Sequence, residues 1–390
     1  MAQTFVLRDF LRHISFTLLA EYCKQNNIPF TLNSQETDEA ALERFITVLN
    51  ALPRAIQEQV ELDLQEIYDL SPNTGVSMLI QEAKERKQVL PEEFKDMSQN
   101  DAALWFYLNQ QNVFSEVSVL YEVSETRGWK DVYLNPVEFS RVTGKNLQLE
   151  EALSSHLLQT ELKGRNCVVE EYPRDGRVCY VAYPEDYAQA DVLYDGQNSL
   201  RKKQIRKPVF KIYFVYEPED GRLRVKAKGG TQRIIAYQKI FSSVILGDHT
   251  GPVNNRIFDL NKLKNKEFVF SYSPEDNVEF VRIKSLRLSY INGGKRVILE
   301  VGDSAIMGIA DFHEWIESMH LPLELMNITQ AIIQVKFKPT PERIKRTKGT
   351  VTVRLTFPNS HDLADRPEHR KVKELLRRWG LDRKRDEAVI

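Results

Sequence analysis

The sequence contains no run of apolar residues long enough to cross a bilayer, and its N-terminus lacks the basic, apolar and small-residue order of a secretory signal. The expectation is a cytoplasmic protein. Only three cysteines occur, Cys23, Cys167 and Cys179. A hairpin turning at Asp175-Gly176 would set Cys179 across from Tyr172 and several residues from Cys167, so reduced, partly buried thiols are expected rather than a local disulfide. Internal repeats and low-complexity tracts are absent, which argues against a solenoid. Phosphate-binding signatures are also missing: Gly144-Lys145 and Gly294-Lys295 lack the other glycines and the following Ser or Thr of a P-loop, and no GxGxxG opens a helix after a strand. Neither nucleotide hydrolysis nor a cofactor is expected.

Metal chemistry finds little support. His313 and His320 flank Glu314 on one predicted helix, but they lie seven residues apart, where a zincin needs four to aim both imidazoles at one ion. A metal site there would have to be completed from elsewhere; the plain alternative is a surface helix. His361-Asp362 reads as a turn before the last helix. Glu93-Phe-Lys95 and Glu161-Leu-Lys163 have the Glu-x-Lys spacing of a nuclease, in which the carboxylate holds a metal and the Lys stabilises developing charge. Both fall in helical context without a strand-borne Asp ahead of them.

What the chain does have is an uneven distribution of charge. Residues 1–200 carry 32 Asp and Glu against 17 Lys and Arg, whereas residues 201–390 carry 23 against 37, so a whole-chain charge of −1 hides an acidic half joined to a basic one. Such a split points to an electrostatic partner for at least one half.

Apolar periodicity predicts helices over most of residues 1–165, as in Phe10, Leu11, Ile14, Leu18 and Tyr22, and in Ile56, Val60, Leu64 and Ile67 after Pro53. From Asn166 the period changes to alternation. Asn166–Tyr172 and Val178–Tyr183 flank a hairpin turn, and the polar, aperiodic stretch 185–207, ending in Arg201-Lys-Lys-Gln-Ile-Arg-Lys207, reads as the linker. Beyond it, strands predominate. A final helix with Val372, Leu375, Leu376 and Trp379 on one stripe starts near Asp365 and stops at Gly380. The expected architecture is α+β: an acidic helical domain over 1–165, a hairpin and linker over 166–207, and a basic, mainly antiparallel β domain over 208–390 closed by the helix.

Three basic elements of the second half suggest a nucleic-acid surface. If the first hairpin turns at Asp220-Gly221, Phe210, Ile212, Phe214 and Tyr216 share a face with Leu223 and Val225, leaving Lys211, Tyr213, Arg224, Lys226 and Lys228 on the other. That second face would hold phosphates on its cations and stack a base on Tyr213; the plain alternative is a solvated strand face with Glu217 paired to Arg224. The loop 339–349 adds Arg343, Lys345, Arg346 and Lys348, in the manner of a wing laid on a backbone. The last helix adds Arg370, Lys373 and Arg377.

The segments Leu7-Arg-Asp-Phe-Leu-Arg12, Gly221-Arg-Leu-Arg-Val225, Phe241-Ser-Ser-Val-Ile-Leu-Gly247, Pro358-Asn-Ser360 and Leu376-Arg-Arg-Trp-Gly-Leu381 resemble those of an uncharacterised family of bacterial proteins encoded near mobile elements and antiphage defence genes. The resemblance implies a role in conflict with phage or plasmids and carries over no catalytic residue. The expected function is a non-enzymatic component that binds DNA or RNA with weak sequence preference through its basic half and a protein partner through its acidic helices. The alternatives are a protein-interaction subunit without nucleic acid, including a homo-oligomer, and a metal-dependent nuclease with a divergent site.

Overall fold

A computed structural model describes residues 5–33, 35–194, 200–251, 255–302, 307–338 and 349–383, the side chains of 201–203 excepted. The protein is α+β, and it divides into two compact units, 1–125 and 126–390.

The first unit is helical: α1 (Leu7–Leu11), α2 (Phe16–Gln25), α3 (Asp38–Ala51), α4 (Arg54–Leu70), α5 (Asn73–Glu85), α6 (Gln99–Asn109) and α7 (Gln111–Glu125). Each periodic stripe supplies one share of a common core, in which Leu19, Phe45, Leu64, Leu79 and Phe106 are fully enclosed. The Ser98 hydroxyl caps α6 by accepting the Asp101 N–H at 3.1 Å. Tyr22 donates to the buried Asp63 carboxylate at 2.6 Å; burial and then that carboxylate push its phenol well above the usual range.

The second unit begins with β1 (Trp129–Tyr133) and α8 (Asn146–Glu161). It continues through β2 (Cys167–Arg174), β3 (Arg177–Pro184), β4 (Gln189–Tyr194), β5 (Leu200–Arg206), β6 (Ile212–Glu217), β7 (Arg222–Ala227) and α9 (Thr231–Phe241). It closes with β8 (Val278–Tyr290), β9 (Arg296–Glu300), α10 (Ile309–Ser318), β10 (Met326–Phe337), β11 (Thr350–Thr356), β12 (Ser360–His361) and α11 (Pro367–Arg378). Among the described residues, ten strands form one antiparallel sheet in the order β2-β3-β6-β7-β1-β12-β11-β10-β8-β9, while β4 and β5 pair only with each other.

The sheet has a core on each face, and the two cores are offset. Val132, Leu223 and Val225 pack with α8 and α9 on one face of the β2 to β1 half. Tyr133 points the other way and joins Ile333, Val353, α10 and α11 on the opposite face, beneath the β12 to β9 half. Strand β1 lies at the seam and contributes to both.

The sequence placed the domain boundary too late. The units divide at Glu125/Thr126, because β1 and α8 belong to the sheet: β1 pairs with β7 and β12, and α8 covers the face on which β2 lies. The expected linker is an excursion. It leaves from β3 and returns to β6, which are direct neighbours through Val181↔Tyr213, and its ends form the exposed β4-β5 hairpin. Polar, aperiodic composition is common to linkers and to such arms. The β2-β3 register is the expected one, with Tyr172 opposite Cys179. In β6-β7 the expected faces hold but the register differs, since a longer turn sets Glu217 opposite Arg222, not Arg224, and Phe214 opposite Val225. The three cysteines are buried and unbridged, and burial raises the thiol of each to about 12. None of the described helices is long and apolar enough to cross a membrane.

Candidate nucleic-acid interface

The expected platform has the predicted alternation, but its central cation, Arg224, is not in solvent. Helix α11 lies against that face of β6 and β7. Arg224 is 4% exposed, paired to Glu217 at 3.3 Å and set over the Trp129 ring. Tyr213 is buried edge-on to Trp129. Lys373 on α11 bonds Glu217 at 3.3 Å, Arg377 bonds Asp220 at 2.8 Å and Arg370 bonds Asp365 at 2.8 Å. These charges hold the last helix onto the sheet. Burial alone would raise Glu217, but Lys373, Arg224, Arg222 and Arg377 outweigh it and leave its pKa at about 2. Lys211 is half-buried over the Tyr183 ring, Lys226 lies close over Gly128, and Lys228 is exposed. Arg343, Lys345, Arg346 and Lys348 fall outside the described residues.

The structure exposes a different cationic surface. On the face that carries α8 and α9, the β12 to β9 half of the sheet has no helix over it among the described residues. Cross-strand rows run Arg287, Gln330, Thr356; Ser285, Ile332, Arg354; and Arg282, Gln334, Thr352. Within them Arg282 and Ser285 are buried, Arg287 is half-buried, and Thr352 and Arg354 are exposed. Arg296, Ile298 and Glu300 extend the surface along β9, so one exposed carboxylate stands among the cations. Arg287 donates to the Thr329 hydroxyl at 3.0 Å and to its carbonyl, so only neutral groups hold it; burial and then the nearby Arg296 lower its pKa. Among the described residues, Arg287, Arg296 and Arg354 make no ion pair. Phe280 lies at the end of this face with Arg282 and Lys336 at 5.8 and 5.4 Å from its ring. The pattern was legible, since β8, β10 and β11 alternate Arg, Thr and Gln with apolar residues, but the pairing that gathers them was not.

His361 and His313 are buried and held within the fold, whereas His320 is exposed. His361 accepts the Leu363 N–H through Nδ1 and meets the buried Asp131 through Nε2 at 3.2 Å, so both ring nitrogens are committed. His313 is buried, with Nε2 on the Leu263 carbonyl at 3.1 Å. Among the described residues no cluster of His, Cys, Asp and Glu is arranged to hold a metal. Glu93 and Lys95 lie in a short 3-10 turn, Glu92–Asp96. Glu161 and Lys163 do meet an Asp, because Lys163 Nζ sits 3.4 Å from Glu161 and 3.0 Å from Asp186. The ammonium occupies the space between the carboxylates, and Arg233 bonds Glu161 as well, so the local charge suits an anion better than a cation.

Sequence reasoning passed over Lys228-Gly229-Gly230-Thr231, which joins β7 to α9. Paired glycines between a strand and a helix N-terminus are a recognisable signal for a group that approaches the backbone closely. Comparison with protein-family models gives no match, and comparison with curated proteins gives none at a significant level.

Proposed function

We propose that the protein is a binding component that lays a nucleic-acid strand across the open face of β8 to β12, as part of a bacterial assembly of the kind its sequence resemblance implies. The observation that carries this reading is the set of three arginines on one sheet face, Arg296 and Arg354 exposed and Arg287 half-buried, without ion-pair partners among the described residues. Cations kept close together against their mutual repulsion favour a polyanion, and flanking Thr and Gln side chains suit phosphate and sugar oxygens. Phe280, between two cations, offers a stacking surface for a base. Weak sequence preference follows from a surface dominated by charge and stacking.

The acidic helical unit, with 20 Asp and Glu against 9 Lys and Arg in 1–125, supports the second element of the reading, a basic protein partner. Fluorescence anisotropy with single-stranded and duplex oligonucleotides at two salt concentrations tests the first. Arg287→Glu with Arg354→Glu should weaken binding and flatten its salt dependence, since fewer counterions are released. No binding of the wild type even at low salt would leave the protein-interaction reading in its place.

A further inference from the structure

The chain passes from β7 into α9 through Lys228-Gly229-Gly230, and this turn is built around one arginine. Gly229 has φ +124°, and a Cβ there would stand 2.5 Å from Arg233 Nη1. Glycine therefore lets the guanidinium fold back over the turn, where Nη1 donates to the Lys228 carbonyl at 3.0 Å and Nη2 to Glu161 at 2.7 Å. Beside it is a cavity of about 290 Å³ whose walls include Lys163, Asp186, Tyr187, Phe210, Lys228 and Arg233.

Its charges do not cancel. Lys163 and Arg233 offset Asp186 and Glu161, and Lys228 remains as a cation with no ion pair among the described residues. Helix α9 begins at the same place with Gly230 as its N-cap, no side-chain cap and no acidic residue in its first turn, so its N-terminal dipole is uncompensated. A turn further along, Tyr237 is wholly buried and its hydroxyl has no hydrogen-bond partner among the described residues, although the charges of Glu161, Arg233 and Asp186 act on it. On the rim, Tyr187 is fixed by its hydroxyl to the Glu161 carbonyl and by its N–H to Asp186 at 2.9 Å, yet it is 53% exposed. One aromatic face is thus rigid and open.

We propose that this cavity binds the phosphate monoester of a nucleotide, with the phosphate oxygens on Lys228, Arg233 and the first N–H groups of α9, and the base against Tyr187. A volume near the lower end of small-molecule sites fits one nucleotide better than a bare phosphate ion. The site lies on the same side of the sheet as the open face, because Lys130, which donates to Thr231 at 2.6 Å, is paired across the strands with Ser360, and Ser360 with Thr356. It stands on different residues from that surface and does not depend on it.

Titration calorimetry of the full chain with adenosine 5′-monophosphate, adenosine and inorganic phosphate tests the proposal. The monophosphate should bind, and adenosine should bind at least about tenfold more weakly, the loss expected for charge-assisted contacts. Lys228→Gln, at an exposed position, should cost about tenfold in monophosphate affinity with an unchanged melting temperature. Equal binding of nucleotide and nucleoside, no binding of the monophosphate, or an unaffected K228Q variant would overturn it. Once monophosphate binding is established, preference for a 5′-phosphorylated oligonucleotide over its 5′-hydroxyl form assigns the phosphate to a strand end, and equal affinity assigns it to a free nucleotide. Arg287→Glu with Arg354→Glu should leave monophosphate binding intact, so failure of the open-face reading and failure of this one are distinguishable.

Discussion

Arg222 on β7 reaches across to Asp131 on the neighbouring β1, with Nε and Nη2 2.7 and 2.6 Å from one carboxylate oxygen and both side chains shut off from water. The other end of the guanidinium meets Asp382, beyond α11, at 2.8 Å. A buried arginine between two carboxylates ties the seam of the sheet to the end of the described chain. Breaking one partner leaves an uncompensated buried charge, so Arg222→Ala should cost about 3 to 5 kcal/mol in urea denaturation. A loss below about 1 kcal/mol would mean that water reaches the pair.

The same network makes stability depend on pH in two windows. Glu217 is held at about 2, below its ordinary 4.5, so its contribution is complete above 4.5 and is lost as pH falls toward 2. Lys373 behaves oppositely: burial first, then Arg222, brings it from 10.5 to about 8. Between those values the unfolded chain binds more protons, and stability should rise with pH. Denaturation midpoints across pH should show both slopes, with Glu217→Gln flattening the acid one and Lys373→Met the alkaline one.

Trp379, just past α11, is 5% exposed, packs edge-on to Phe270 at 4.8 Å and donates its indole N–H to the Ser271 carbonyl at 2.7 Å. Trp379→Ala removes a large apolar body and orphans that carbonyl, at an expected cost of about 3 to 5 kcal/mol. A thermal melt that barely moves would place the indole in solvent.

Local pattern carried the fold as far as the hairpins. Alternation in Phe210 to Tyr216 identified the core-facing side, and Asp175-Gly176, both at positive φ, fixed the β2-β3 register. What lies over the other side is set by α11, about 150 residues later in the chain, and no local period encodes that. Strand β1 escaped notice for a related reason: it is five residues long and contains a buried Asp131 whose partners, Arg222 and His361, are remote in sequence. Of the candidate site, the sequence supplied the cations but not which of them α11 would neutralise.

The division at Glu125/Thr126 predicts how the protein can be cut. Chains 1–125 and 126–390 should each melt cooperatively, because each has its own core. Chains 1–207 and 208–390 should not, since that cut separates β3 from β6 and α8 from α9 within one core. Circular dichroism melts of the four fragments decide between the two boundaries.

Two arginines of the sheet separate fold from function. Arg224 is buried under α11 with Glu217 at 3.3 Å, and reversing its charge would set two carboxylates together in a site closed to water. Arg224→Glu should therefore destabilise the second unit by about 3 to 5 kcal/mol or more, and any loss of nucleic-acid binding would follow from unfolding. Arg354 is exposed on the open face, where its backbone N–H donates to the Asp362 carboxylate at 2.7 Å and its side chain makes no ion pair among the described residues. Arg354→Glu should change stability by no more than about 0.5 kcal/mol while weakening oligonucleotide binding and lowering its salt dependence. Thermal melts and anisotropy on the same two variants make the comparison. A stable Arg224→Glu protein that has lost binding would return the interface to the face now assigned to α11.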